Sequence, residues 1–201
     1  MFPCQSSFNQ HRLRQRGASL IVVMMILVIV SLLGIGAAQI ALMGERGARN
    51  DRDMQMAWQA AEAALIDAEL EMTSATATRQ TLFNGQSRTG FIAGCGTSVS
   101  DKTTGLCDVT VSGNPAWVTV DFTNTAANAP TVAYGTFTSG TVAFQPFAFG
   151  TAGVQPAQAP RYIIELLPDP ANNQSVLYRV TAMGFGPRVD IQAVLQMIFR
   201  V

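Results

Sequence analysis

Histidine and lysine are nearly missing from this chain. Its 201 residues hold one histidine, His11, and one lysine, Lys102. Ser-His and Cys-His nucleophiles need an imidazole beside the attacking atom, and residues 18–201 contain none. Charge is sparse as well: Asp, Glu, Lys and Arg make up 13%, against roughly 25% in ordinary soluble domains. The signs balance at 13 basic and 13 acidic; without Arg12, Arg14 and Arg16 the basic count is 13 − 3 = 10, a balance of −3 for residues 18–201. That is no electrostatic footprint for nucleic acid, and no nucleic-acid partner is expected. No P-loop or GxGxxG occurs, so no cofactor is expected. Glu62, Asp67, Glu69 and Glu71 are close in sequence, and a solvated helix face accounts for them more simply than acid–base chemistry. The chain reads as a substrate of enzymes rather than an enzyme.

What the chain does have is an uninterrupted apolar run. MFPCQSSFNQHRLRQRG leads into ASLIVVMMILVIVSLLGIGAAQIALM, where Ser19, Ser31 and Gln39 are the polar side chains between Ala18 and Met43. About 20 such residues cross a bilayer. Arg12, Arg14 and Arg16 precede the run, so the positive-inside rule puts the N-terminus in the cytoplasm, and everything after Met43 is then exported. A cleaved secretory signal is the rival reading, with Gly36-Ala37-Ala38 imitating its cleavage site. Its apolar core is usually about 7–15 residues, shorter than the run here.

The next segment, GERGARNDRDMQMAWQAAEAALIDAELEM, is rich in good helix formers. Met54, Trp58, Ala61, Leu65, Ala68 and Met72 recur at spacings of four and three, which predicts one apolar helical stripe. Proline is absent from Ala18 to Met72. One helix of about 80 Å, at roughly 1.5 Å per residue, is therefore allowed. Gly34, Gly36, Gly44 and Gly47 are its weak points, each costing about 1 kcal/mol relative to alanine. They leave open an anchor followed by a separate amphipathic helix.

The exported part is expected to end in sheet. Residues 109–111 (VTV) and 117–122 (WVTVDF) have strand composition. RYIIELL stops at the turn LPDP. In SVLYRVTAM, Val176, Tyr178, Val180 and Ala182 share a face. After GFGP, Val189, Ile191, Ala193, Leu195, Met197 and Phe199 alternate with Asp190, Gln192, Val194, Gln196, Ile198 and Arg200, the period-2 pattern of a strand with one core face. Three strands with short turns make an antiparallel meander, covered by the long helix. The fold class is α+β.

These residues resemble a known family. RQRG, then ASLIVVMMILVIVSLLG, then GERGARNDRDMQMAWQAAEAAL is similar to the N-terminus of a type IV pilin precursor. More narrowly it resembles the PilX-type minor pilins, pilus assembly proteins of Gram-negative bacteria, over roughly Arg14 to Glu71. The resemblance implies a prepilin leader at 1–17, the transmembrane half of a long helix at 18–43, a periplasmic amphipathic half at 44–72, and the globular pilin domain at 73–201. It implies cleavage between Gly17 and Ala18 by a membrane-embedded prepilin peptidase, then N-methylation of Ala18. Glycine, lacking a side chain, suits a narrow protease site.

At the fifth position after that cut, where major pilins usually carry glutamate, stands Val22. A carboxylate in the bilayer is expensive unless paired, and in a filament its partner is the terminal amine of a neighbour. Val22 therefore fits a tip or initiation subunit with nothing above it; the plain alternative is a good membrane residue. The resemblance implies a minor pilin that initiates assembly in a tip complex with other minor pilins. The implied partners are those minor pilins and the major pilin, met through the N-terminal helix, and a tip adhesin. The protein would sit in the inner membrane and then in the pilus on the cell surface, a context of adhesion and twitching motility. A type II secretion pseudopilin and a single-pass periplasmic binding module are the alternatives.

Cys4 lies in the leader. Cys95 and Cys107, in GCGTSVSDKTTGLC, form an even pair in an exported domain and are expected to make a disulfide. A metal site is the poorer reading, because two cysteines without histidine hold zinc badly. Asp101 and Asp108 show no EF-hand spacing for calcium. Phe122 to Pro160 holds no charged residue. Its aromatics Tyr134, Phe137, Phe144, Phe147 and Phe149 serve either the protein's own core or a partner interface.

Overall fold

A computed structural model describes residues 18–138, 155–170 and 176–200. The leader, Phe144, Phe147 and Phe149 lie outside the described residues. The chain divides into two compact units, Met1–Ala48 and Arg49–Val201.

Helix α1 spans Ala18–Thr73 as one element of 56 residues, so a break at the glycines does not occur. Gly34, Gly36, Gly44 and Gly47 have nothing within 4 Å of where a Cβ would stand. In the first unit every large apolar side chain from Leu20 to Met43 is exposed. Mean hydropathy reaches 3.0 over a window of 18 residues, and α1 is long and apolar enough to cross a membrane. Ser31 donates its hydroxyl to the Leu27 carbonyl at 2.7 Å, which satisfies a polar group that hydrocarbon would leave stranded.

The second unit is built on a sheet of β1 (Leu106–Cys107), β2 (Val132–Ala133), β3 (Arg161–Pro168), β4 (Val176–Phe185) and β5 (Gln192–Phe199), ordered β1-β3-β4-β5 with β2 also paired to β3. Its main part is the expected antiparallel meander. Strands β3, β4 and β5 follow one another, with Tyr162 opposite Ala182 and Ala182 opposite Leu195. Two short strands extend it at the outer edge of β3. Strand β1 runs parallel to Ile164 and Glu165, and β2 antiparallel to Tyr162 and Arg161. The sheet is thus mixed and the class α+β.

Period-2 geometry explains the two kinds of strand. In β4, Val176, Tyr178, Val180 and Ala182 are buried as expected. Strand β3 is buried on both faces over Arg161–Leu166, hence its continuous apolar run. Tyr162, Ile164 and Leu166 join the core under α1 with Ala64, Ala68 and Met72. Ile163 faces a second cluster with Cys95, Cys107, Ala116 and Phe122. Phe83 and Phe91 meet Tyr178, at 5.5 Å edge-on and 5.9 Å stacked, adding to their area burial.

The face of α1 that packs on the sheet keeps Ala61, Ala68 and Met72 of the expected stripe and departs from it at Met54 and Trp58. Met54 and Trp58 remain 44% and 49% exposed, while Ala57, Ala60, Ala61, Ala64 and Ala68 are buried. The cause is close backbone approach. A Cβ on Gly184 of β4 would stand 2.1 Å from the Ala57 carbonyl oxygen and 2.3 Å from the Ala61 nitrogen. Only small side chains fit such a seam, so the indole turns outward and donates to Glu62 at 2.9 Å.

Two strand expectations fail. Residues 109–111 are irregular, and 117–122 begins inside helix α2 (Ala116–Thr119). Pro115 precedes α2 with φ −62°, Ala116 is buried, and the Trp117 amide points to Glu165 Oε1 at 3.4 Å. These tertiary contacts override a weak β preference. Of the uncharged segment's aromatics, Phe122 and Phe137 are core residues.

Candidate functional site

The sequence-derived residues fall in both units. Ala18 is the first residue of α1. Val22 is one turn further along and 54% exposed. Gly17 lies outside the described residues. No described group of three or more His, Cys, Asp and Glu is placed to hold a metal ion.

Cys95 and Cys107 are joined by a disulfide across a sequence separation of 12. The bridged loop is threaded by its own backbone bonds. Gly96 donates to the Leu106 carbonyl at 3.1 Å, and Gly105 to the Gly96 carbonyl at 3.0 Å. Cys95 and Lys102 adopt positive φ, at 72° and 59°, the conformation tight turns demand. Cys107 sits within β1 at 0% exposure, so the crosslink ties the loop to the sheet. Asp101 takes the Ser98 hydroxyl and Asp108 faces Arg88 at 3.8 Å.

The carboxylates of α1 divide into two sets. Glu62 and Glu69 are exposed as expected, but Asp67 and Glu71 are at 0% exposure, which corrects the solvated-face reading. They lie one turn apart on the helix face that also carries Ala64, Ala68 and Met72. Glu71 pairs with the buried Arg79 and accepts the Tyr162 hydroxyl. Arg79 also donates to the Thr104 and Lys102 carbonyls at 2.7 and 3.1 Å, and its guanidinium lies 3.8 Å from the centre of the Phe137 ring, a cation–π distance. Asp67 accepts the Gly135 amide at 2.8 Å and the Thr138 hydroxyl.

Burial raises the Asp67 carboxyl above its ordinary value, although Thr138 and Gly135 oppose it by donating to the charged form. Burial raises Glu71 too, against the guanidinium of Arg79, and lifts the Tyr162 hydroxyl far above its usual range. One guanidinium balances one carboxylate here, and the second acid carries the cost of an unbalanced buried charge. What the cluster does chemically is fasten. It ties the C-terminal turns of α1 to β3, to the disulfide loop and to residues 135–138.

The sequence reading missed Arg79, Tyr162 and the burial of Asp67 and Glu71. The signal was present: Ala57, Ala60, Ala64, Asp67 and Glu71 follow the same alternation of three and four that marks a packed face. A second, half-buried pair, Glu165 with Arg179 at 2.9 Å, lines a cleft of about 270 Å³ with Val109, Pro115 and Leu167.

An apolar helix opening at Ala18, followed by a helix-on-sheet unit with a crosslinked loop, defines a membrane-anchored pilin-like protein. The PilX N-terminal family matches residues 16–65, and the type IV pilus assembly protein PilX C-terminal family matches residues 45–201. The chain therefore belongs to the PilX family of type IV pilus assembly proteins. No match to a curated protein or to a solved structure accompanies these.

Proposed function

We propose that this protein is a minor pilin that initiates type IV pilus assembly from the filament tip. Val22 is the observation that carries the proposal. An apolar residue at the fifth mature position leaves no carboxylate in the bilayer awaiting an amine above it, and such a lone charge costs several kcal/mol. The chain is inserted with residues 1–17 in the cytoplasm and the globular unit in the periplasm. Prepilin peptidase cuts between Gly17 and Ala18, and Ala18 is N-methylated. The mature subunit then meets other minor pilins and the major pilin through the N-terminal helix and helps to present an adhesin. Support comes from the membership in a pilus assembly family, the three arginines before the apolar run, and the exposed apolar surface from Leu20 to Met43.

An epitope-tagged copy located on pili by electron microscopy tests the proposal. Label at the filament end, sparse against the major pilin, is the expected result. Label spread along the shaft at major-pilin abundance rejects it. Mass spectrometry of the same protein should show loss of residues 1–17 and gain of one methyl group; Gly17→Val should retain the leader.

A further inference from the structure

Among the described residues, Arg161 is a buried cation without an anion. It opens β3 at 8% exposure, and no ion pair among the described residues includes it. Its Nε donates to the Thr131 hydroxyl oxygen at 2.5 Å and its Nη2 to the Thr131 carbonyl at 2.7 Å. A guanidinium has five N–H donors, so these bonds leave the Nη1 donors unused. Burial alone bears on its ionisation, pressing it downward with no neighbouring carboxylate to oppose it. Buried charges are ordinarily paired, and the two other buried or half-buried arginines, Arg79 and Arg179, have their glutamates.

Arg161 lines a cleft of about 190 Å³ on the sheet face turned away from α1. The other polar wall is hydroxyl: Thr104, Thr125, Thr131 and Thr136. Thr104 is 3% exposed, and its Oγ1 has no hydrogen-bond partner. Thr131 Oγ1 accepts from Arg161, which leaves its own proton to donate. No aspartate or glutamate lines the cleft, and its rim is alanine and Val99. Arg161 and Thr104 thus line one cleft that supplies no anion of its own.

We propose that this cleft binds a carboxylate carried on a short aliphatic stem. The planar guanidinium offers a fork matched to two carboxylate oxygens, the hydroxyl of Thr104 completes the donor set, and the rim receives the methylene groups. One cation matches one monovalent anion. The carboxylate comes either from an acidic side chain of another subunit or from a free organic acid. The site stands on the geometry of the globular unit and does not depend on the subunit's place in the pilus.

Calorimetric titration of the full chain in detergent at constant ionic strength tests this, with sodium acetate, a capped glutamate residue and inorganic phosphate as probes. Saturable carboxylate binding is expected. Thr104→Val should raise the dissociation constant about tenfold or more, and Arg161→Met should abolish saturation. Ala127→Glu, on the exposed rim, should also abolish it by supplying a tethered carboxylate, and keeps the test alive if Arg161→Met fails to fold. Tighter binding of capped glutamate than of acetate assigns the site to a side chain; equal or tighter binding of acetate assigns it to a free acid. Absence of saturable carboxylate heat, preference for phosphate, or binding unchanged by Thr104→Val and Ala127→Glu would overturn the proposal.

Discussion

At the scale of single residues, the decisive feature is a pair of carboxylates on the wrong side of the helix for solvent. Asp67 and Glu71 were legible as acids but not as buried ones, because their partners come from elsewhere: Arg79 after the helix, Thr138 and Gly135 from an uncharged loop, Tyr162 from β3. A local charge count sees none of these. The raised Asp67 carboxyl sets a direction for pH dependence. The folded protein keeps a proton that the unfolded chain releases near the ordinary value of 3.8. Stability from this group is therefore greatest below that value and falls as pH rises towards the raised folded value. Asp67→Asn keeps an acceptor for Gly135 and removes the titration. Thermal melts from about pH 4 to about pH 8 should show a flatter profile for Asp67→Asn than for the parent. A profile with the same slope would contradict the assignment.

Among the elements, the meander was legible, and the helix face was legible in its later turns, where Ala61, Ala68 and Met72 are buried as expected, but not at Met54 and Trp58. Val176, Tyr178, Val180 and Ala182 are buried at alternate positions because that face of β4 lies in the core under α1. Large residues dominate a hydrophobicity count, so the expected stripe opens with Met54 and Trp58; packing at that end is governed instead by Gly184, whose missing side chain admits the helix backbone. Gly184→Ala should push α1 from β4 and destabilise the globular unit by about 3 kcal/mol or more, the upper end for overpacking a core. A melting temperature equal to the parent's would show that the seam is loose. The disulfide is a second element-scale device. Replacing Cys95 and Cys107 together with serine should cost about 2–3 kcal/mol on the chain-entropy model, or a fall of roughly 5–10 °C in Tm for a chain of this size. Urea melts with and without reductant give the same comparison on unmodified protein, and no change on reduction would rule out a stabilising role.

For the whole molecule, the division of labour follows from composition. Among the described residues, the first unit exposes its large apolar side chains, and the second buries a core between its part of α1 and the sheet. That division was readable from the run Ala18–Met43 and from the period-2 ending. Arg161 and its cleft were not readable, since a buried arginine at the end of a long uncharged stretch resembles a strand-edge charge until the burial is known. The central claim is that this PilX-family subunit limits how often filaments start rather than how they grow. It is tested most directly by counting pili per cell, and measuring their lengths, in a deletion strain and in the same strain carrying the gene again. The account predicts sharply fewer pili of near-normal length, restored on complementation. Normal numbers of shortened pili, or normal numbers and lengths, would contradict it.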